Sequence, residues 1–268
     1  MLAPSPIIKQ KAKSALSNRF LHSVAISCVF IFALFAGELV ASLASIFSGI
    51  VGYVLVLIAF TVFVAMPLLF GLLYYFHRLL CEQNDSILVV FKFFSSAYEY
   101  KRALHFAFLL SIRLVFAILV LYSPCIIVWL LSSEQLYSLF DISIPIWTSN
   151  LWALNSFIVV IASFALVFVM LKYYLSPFIF VANDDIDPAE AVNMSTIISK
   201  RTGGDFFGLA LSFAGWILLS MLVAPLIFTL PYFATSYSVH CRFAITAYNR
   251  DVERFNASVA PSYSTDEI

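Results

Sequence analysis

FLHSVAISCVFIFALFAGELVASLASIFSGIVGYVLVLIAFTVFVAMPLLFGLLYYF, residues 20–76, holds a single Asp, Glu, Lys or Arg, which is Glu38. A membrane-crossing helix needs about 20 mostly apolar residues. The stretch is long enough for two, and we read spans at Phe20 to Ile46 and at Ile50 to Phe76. Working outward, four more apolar runs follow: Ala103 to Leu131, Leu151 to Tyr173, Phe206 to Ala224, and Leu226 to Tyr248 with Pro231 inside it. The whole chain agrees. Of its 268 residues, 62% are hydrophobic and only 11% charged, against about 25% charged in an ordinary soluble domain. A soluble core of this size cannot absorb so much apolar surface. The composition therefore excludes a soluble enzyme, a nucleic-acid binder and a disordered tail protein. It implies an all-α polytopic membrane protein of six transmembrane helices, with the lipid bilayer as its first partner.

Lys and Arg set the orientation. All of them except Arg113 fall before span one, between spans two and three, at or beyond the end of span four, or near the C-terminus. The opposite loops, near 47–49, 132–150 and 225, have none. Six spans put both termini on one side, and both are basic, so that side is expected to be the cytoplasm. The first apolar run is longer than a signal-peptide core and five spans follow it, so it is expected to be an uncleaved helix. The organisation expected is one membrane domain over residues 1–255 and a short cytoplasmic tail over 256–268.

Two cytoplasmic segments are expected to be interfacial helices. Residues 86–98 place Ile87, Val90, Phe91, Phe94 and Tyr98 at helix-like spacing, suited to lipid or to the bundle. In 188–200, Asp187 is placed to cap the helix N-terminus, Pro188 takes the first helical position and Glu190 completes a capping box. That helix is expected to end near Lys200, with Gly203 as its stop. The approaches to both segments match at a 99-residue offset: Tyr74-Tyr75 with Asn84-Asp85, and Tyr173-Tyr174 with Asn183-Asp184. This suggests a hairpin-plus-helix repeat.

Inside the spans, Ala33, Gly37, Ala41, Ser45 and Gly49 recur every fourth residue, a pattern that lets helix backbones approach. Glu38 and Arg113 are isolated ionisable residues at bilayer depth, where such groups are paired, cavity-facing or functional. With Asn155 they form the candidate polar site, and linkage through one cavity is expected. The four histidines, His22, His77, His105 and His240, sit near the basic boundary without metal-ligand spacing, and Cys28, Cys81, Cys125 and Cys241 form no Cys-x-x-Cys pair. No phosphate loop, nucleophile elbow, zinc helix or dinucleotide fingerprint is present. No catalytic residue, metal or cofactor is expected.

The string Tyr173-Tyr174-Leu175-Ser176-Pro177-Phe178, then Asn183-Asp184 and Pro188-Ala189-Glu190-Ala191, resembles an uncharacterised bacterial integral-membrane family, domain of unknown function 975. The likeness continues through Leu211 to Trp216 and Leu230-Pro231-Tyr232, and includes the opening Ala12-Lys13-Ser14-Ala15-Leu16. The resemblance implies a bacterial inner membrane. It also implies that Pro177, Asp184, Trp216 and Pro231 hold the cytoplasmic helix against the bundle. The function expected is a non-enzymatic component assisting transport or envelope processes, through a membrane-protein partner or a homo-oligomer and without nucleic acid. The alternative is a small-solute transporter or channel with its polar site at Glu38, Arg113 and Asn155.

Overall fold

The computed structural model describes residues 4–17, 19–83, 86–132, 148–220 and 223–259. Most of these residues are helical, with no strand among them. The order is α1 (Ser5–Ser17), α2 (Phe20–Phe60), a π-helical turn (Thr61–Ala65), α3 (Met66–Leu79), a 3₁₀ helix (Ile87–Phe94) and α4 (Ala97–Ser132), then α5 (Thr148–Tyr173), α6 (Ser176–Ala182), α7 (Pro188–Leu211), α8 (Ala214–Leu219) and α9 (Val223–Val259). Among the described residues, three helical runs are long and apolar enough to cross a membrane: Phe20–Leu79, Ala97–Ser132 and Leu151–Ala182.

The first run is a hairpin. Sixty residues of straight helix would be about 90 Å long, three times a ~30 Å hydrocarbon layer. The run reverses at Gly49, whose φ of 63° and ψ of −154° lie in a region open essentially to glycine alone. Contacts nest around it. Tyr53 Oη donates to Glu38 Oε1 at 2.8 Å, Gly37 faces the ring of Phe60, and Ser23 Oγ meets Tyr75 Oη at 3.1 Å. A Cβ on Gly37 would lie 2.2 Å from that ring, so the small-residue stripe serves the fold-back within the hairpin, and Gly49 is its turn. A second antiparallel pair joins α4 to α5, with Tyr122 Oη and Ser163 Oγ 2.9 Å apart. In a third, α7 and α8 run against α9: Phe213 packs on Tyr232, Phe206 on Tyr237, and Arg201 pairs with Asp251 at 3.0 Å.

The core sits at one end of this bundle. Phe70 of α3, Phe93 of the 3₁₀ helix, Phe106 of α4 and Phe180 of α6 are fully buried. Phe106 and Phe180 stack at 4.4 Å, and Phe70 meets both edge-on at 5.3 and 5.5 Å. Away from that end the helices expose their apolar residues: only 6% of the most apolar window in α4, and the same in α5, is buried. Water would penalise such a surface heavily, and lipid would not.

Prolines inside these helices free carbonyls, since each removes one backbone N–H. Hydroxyls take three of them. Phe63 O, orphaned by Pro67, accepts from Tyr100 Oη at 3.0 Å. Val120 O, orphaned by Pro124, accepts from Ser123 Oγ at 2.9 Å, and Tyr173 O, before Pro177, accepts from Ser176 Oγ at 2.7 Å.

Several expectations change. The helix expected over 86–98 is shorter and of another type. A 3₁₀ helix covers Ile87–Phe94 and α4 begins at Ala97. Val90 and Phe93 are buried, and a Cβ on Gly71 would lie 1.9 Å from Val90 O, so this segment is packed hard on α3. The helix from Pro188 does not stop at Gly203 but continues to Leu211. Gly203 lies at van der Waals range from Leu171, 3.7–3.8 Å from where its Cβ would be, and acts as a packing surface. α1 is an element with no counterpart among the expected helices. The expected tail begins within α9, which runs to Val259. In the 99-residue repeat, Asn84 and Asp85 lie outside the described residues, as do residues 133–147 of the expected outer loop. The two tyrosine pairs do differ: α3 continues past Tyr75 to Leu79, whereas α5 ends at Tyr173.

Candidate functional site

The expected intramembrane site has three members with separate surroundings. Glu38 is bonded to Tyr53 within the first hairpin. Arg113 on α4 reaches Asn193 Oδ1 on α7 at 3.2 Å from both terminal nitrogens. Asn155 lies on α5, half-buried, its Oδ1 without a partner among the described residues. Asn193 belongs to the segment read as cytoplasmic, so Arg113 extends toward the basic end, as a snorkelling side chain does.

The expected motif residues hold helix ends. Asp187 caps α7, its Oδ2 accepting from Ala189 N at 3.0 Å. No return bond from Glu190 accompanies it among the described contacts. Asp184 pairs with Lys92 of the 3₁₀ helix at 2.5 Å, and the same ammonium lies 3.8 Å over the Tyr74 ring. Pro177 starts α6 and Pro231 is buried inside α9. Trp216 is half exposed on α8, an unsuitable position for clamping α7.

Other residues do more of this holding. Arg102 is nearly buried and donates to the carbonyls of Phe180, Asn183 and Ile186, at 3.4, 2.6 and 3.3 Å. It thereby caps α6 and braces the loop after it, with its guanidinium 4.5 Å over Phe180. The end of α5 is capped by hydroxyls from other helices. Ser195 and Ser199 both donate to Lys172 O at 3.0 Å, and Tyr237 Oη donates to Tyr174 O. A buried relay follows: His240 Nε2 to Tyr174 Oη at 3.0 Å, Tyr174 to Thr202 at 2.8 Å, and Thr202 to Ile198 O at 3.1 Å. Each hydroxyl has one proton to give. Every bond is satisfied when His240 carries its proton on Nε2, donating into the chain. Around Tyr174, the buried polar groups serve to close the fold.

A different site opens beside these. A cleft of about 1030 Å³ lies between α1, the end of α3 and α9. Its walls include Lys11, Arg19, Arg242 and Arg250, with Glu82 as the carboxylate. α1 buries Ile8, Ala12 and Leu16 on one face, and Lys11, Ser14 and Ala15 border the cleft. Lys9 Nζ donates to Ser212 O at 3.0 Å and Lys11 lies 4.6 Å over Phe243, which ties α1 to α7–α9. Arg19 donates to the carbonyls of Glu82 and Gln83, and Arg242 to Leu80 O at 2.9 Å. These two guanidinium groups therefore hold the turn that follows α3, close to the helix end where the dipole favours cations. Next to them His77 packs on Phe178 at 5.4 Å. Ile8, Ala12 and Leu16, four residues apart, are the local signal that could have marked α1. The cleft joins segments far apart in sequence and left no local signal.

Among the described residues, no three His, Cys, Asp or Glu side chains gather closely enough to hold a metal ion. The cysteines are free thiols, Cys81 exposed and Cys125 and Cys241 buried. A family model described as a protein of unknown function, DUF975, matches residues 2–247. No curated protein and no solved structure matches the chain.

Proposed function

We propose, from the premise that this chain belongs to the DUF975 family, that it is a six-span inner-membrane protein with both termini in the cytoplasm. Its role is that of a non-enzymatic component assisting transport or envelope processes through a membrane-protein partner or a second copy of itself. One observation carries the non-transporter reading: Glu38 and Arg113, the two ionisable residues deepest in the spans, are engaged by different neighbours, Tyr53 and Asn193. A solute path would profit from bringing them to one place. The one-ended core and the exposed apolar flanks of α4 and α5 favour a protein that meets lipid and membrane partners along its sides.

The test is purification of the full chain in native lipid, with identification of co-purifying proteins and its mass in that environment. Stoichiometric recovery of a membrane partner, or a discrete homo-oligomer, is expected. Solute flux into proteoliposomes that Glu38→Gln or Arg113→Gln abolishes would overturn the reading in favour of a transporter.

A further inference from the structure

We propose that the cleft between α1, the end of α3 and α9 binds a phosphate-bearing anion, presented by the headgroup of an acidic phospholipid. The inference deepens the reading above, and rests on it for the height of the cleft in the membrane.

The cleft is built by faces of two helices and the tip of a third. On α9 its wall is Val239, Arg242, Phe243, Thr246 and Arg250, which recur at helical spacing along one side. Lys11 and Arg19 enter from the α1 side. Four cations against the single carboxylate of Glu82 leave the lining net positive. Three other basic residues meet carboxylates: Lys92 meets Asp184, Arg102 approaches Glu99 and Arg201 meets Asp251. Lys11, Arg19, Arg242 and Arg250 make no ion pair with a described residue. Carbonyls hold Arg19 and Arg242 in place without neutralising them. An arginine has five N–H donors, so each retains donors for an anion, already oriented by the bonds to the turn after α3. Preorganised cations in a partly walled cleft favour an anion on two counts: their mutual repulsion is relieved and little ordering is needed. Guanidinium groups match phosphate geometry in particular.

The position selects the source. Arg19 immediately precedes Phe20 and Leu21, and Leu21 is 82% exposed. Leu79 and Leu80, on the opposite arm, end the apolar course of α3. The cleft thus lies where both arms of the first hairpin leave their apolar stretch, the level of lipid phosphates. Its volume accommodates a headgroup and glycerol.

The full-length protein in a neutral detergent is titrated with short-chain phosphatidylglycerol, short-chain phosphatidylcholine and inorganic phosphate, following thermal unfolding. Phosphatidylglycerol should bind at least tenfold more tightly than phosphatidylcholine. Lys11→Gln/Arg250→Gln, which leaves Arg19 and Arg242 in place, should lose that preference while still unfolding cooperatively without lipid. The control Lys101→Gln/Lys200→Gln should retain it. Inorganic phosphate as tight as phosphatidylglycerol would support the site's chemistry and assign a soluble source. Persistence of the preference in Lys11→Gln/Arg250→Gln, equal loss in the control, or binding of neither phosphatidylglycerol nor phosphate would overturn the site. All arms are read in detergent, so a reversed topology would sink the membrane reading without touching this result.

Discussion

Two glycines in this fold carry opposite predictions. Gly71 lies against the backbone of the 3₁₀ helix, where an added Cβ would meet Val90 O at 1.9 Å and Val90 C at 2.6 Å. A backbone carbonyl cannot rotate away as a side chain can, so Gly71→Ala must push the 3₁₀ helix off α3 and uncover Val90 and Phe93. Overpacking of this kind costs about 1–3 kcal/mol or more, and a large fall in Tm is expected. Gly204, inside α7, has nothing within 4 Å of its Cβ position. Gly204→Ala should gain up to ~1 kcal/mol of helix propensity, and its Tm should hold or rise.

At the scale of elements, α7 shows what local sequence conveys and what it conceals. Its start was legible because a cap is a local device: Asp187 and Pro188 act on the next turn, and Asp187 Oδ2 does accept from Ala189 N. Asp187→Ala should remove about 1 kcal/mol and raise amide exchange across 188–192. Unchanged protection would mean that the bundle alone orders this end. Its far end was concealed. Gly203-Gly204 carries a helix-stop pattern, but Gly203 is buried facing Leu171, and tertiary contact outweighs the propensity penalty. Its face was concealed too. Ser195, Ser199 and Thr202 look polar in sequence, yet with Ala191, Val192 and Ile198 they form one buried stripe. In an apolar setting, serine hydroxyls are core material whenever a helix end offers bare carbonyls, here Lys172 O. Ser195→Ala/Ser199→Ala leaves that carbonyl unsatisfied, at about 1–3 kcal/mol, and should lower Tm more than Thr196→Ala, whose hydroxyl bonds only within its own helix.

For the molecule as a whole, the apolar periodicity that marks spans says where chain meets lipid but not which spans lie side by side. The two arms of the first hairpin were readable because the apolar run is long enough for two spans. The convergence of α1, α3 and α9 on one cleft was not, since nothing in residues 11–19 points to residues 239–250. The same blindness produced the expectation that Glu38 and Arg113 share a cavity: each is conspicuous alone, and depth in a span cannot identify a neighbour. In the structure Glu38 is held by Tyr53 inside one hairpin, and Arg113 bridges to Asn193 from another. Side chains with no shared partner combine additively, usually within ~0.3–0.5 kcal/mol, whereas members of one bond are coupled by ~0.5–3 kcal/mol. Glu38→Gln with Arg113→Gln should therefore be additive in unfolding free energy. Glu38→Gln with Tyr53→Phe, and Arg113→Gln with Asn193→Ala, should each show coupling above ~0.5 kcal/mol. The two positive cycles matter, because additivity of the first pair is informative only in a protein where known contacts register as coupled. Coupling between Glu38 and Arg113 as large as in the bonded pairs would mean that a water-linked polar path connects the hairpins, and would revive transport as the function.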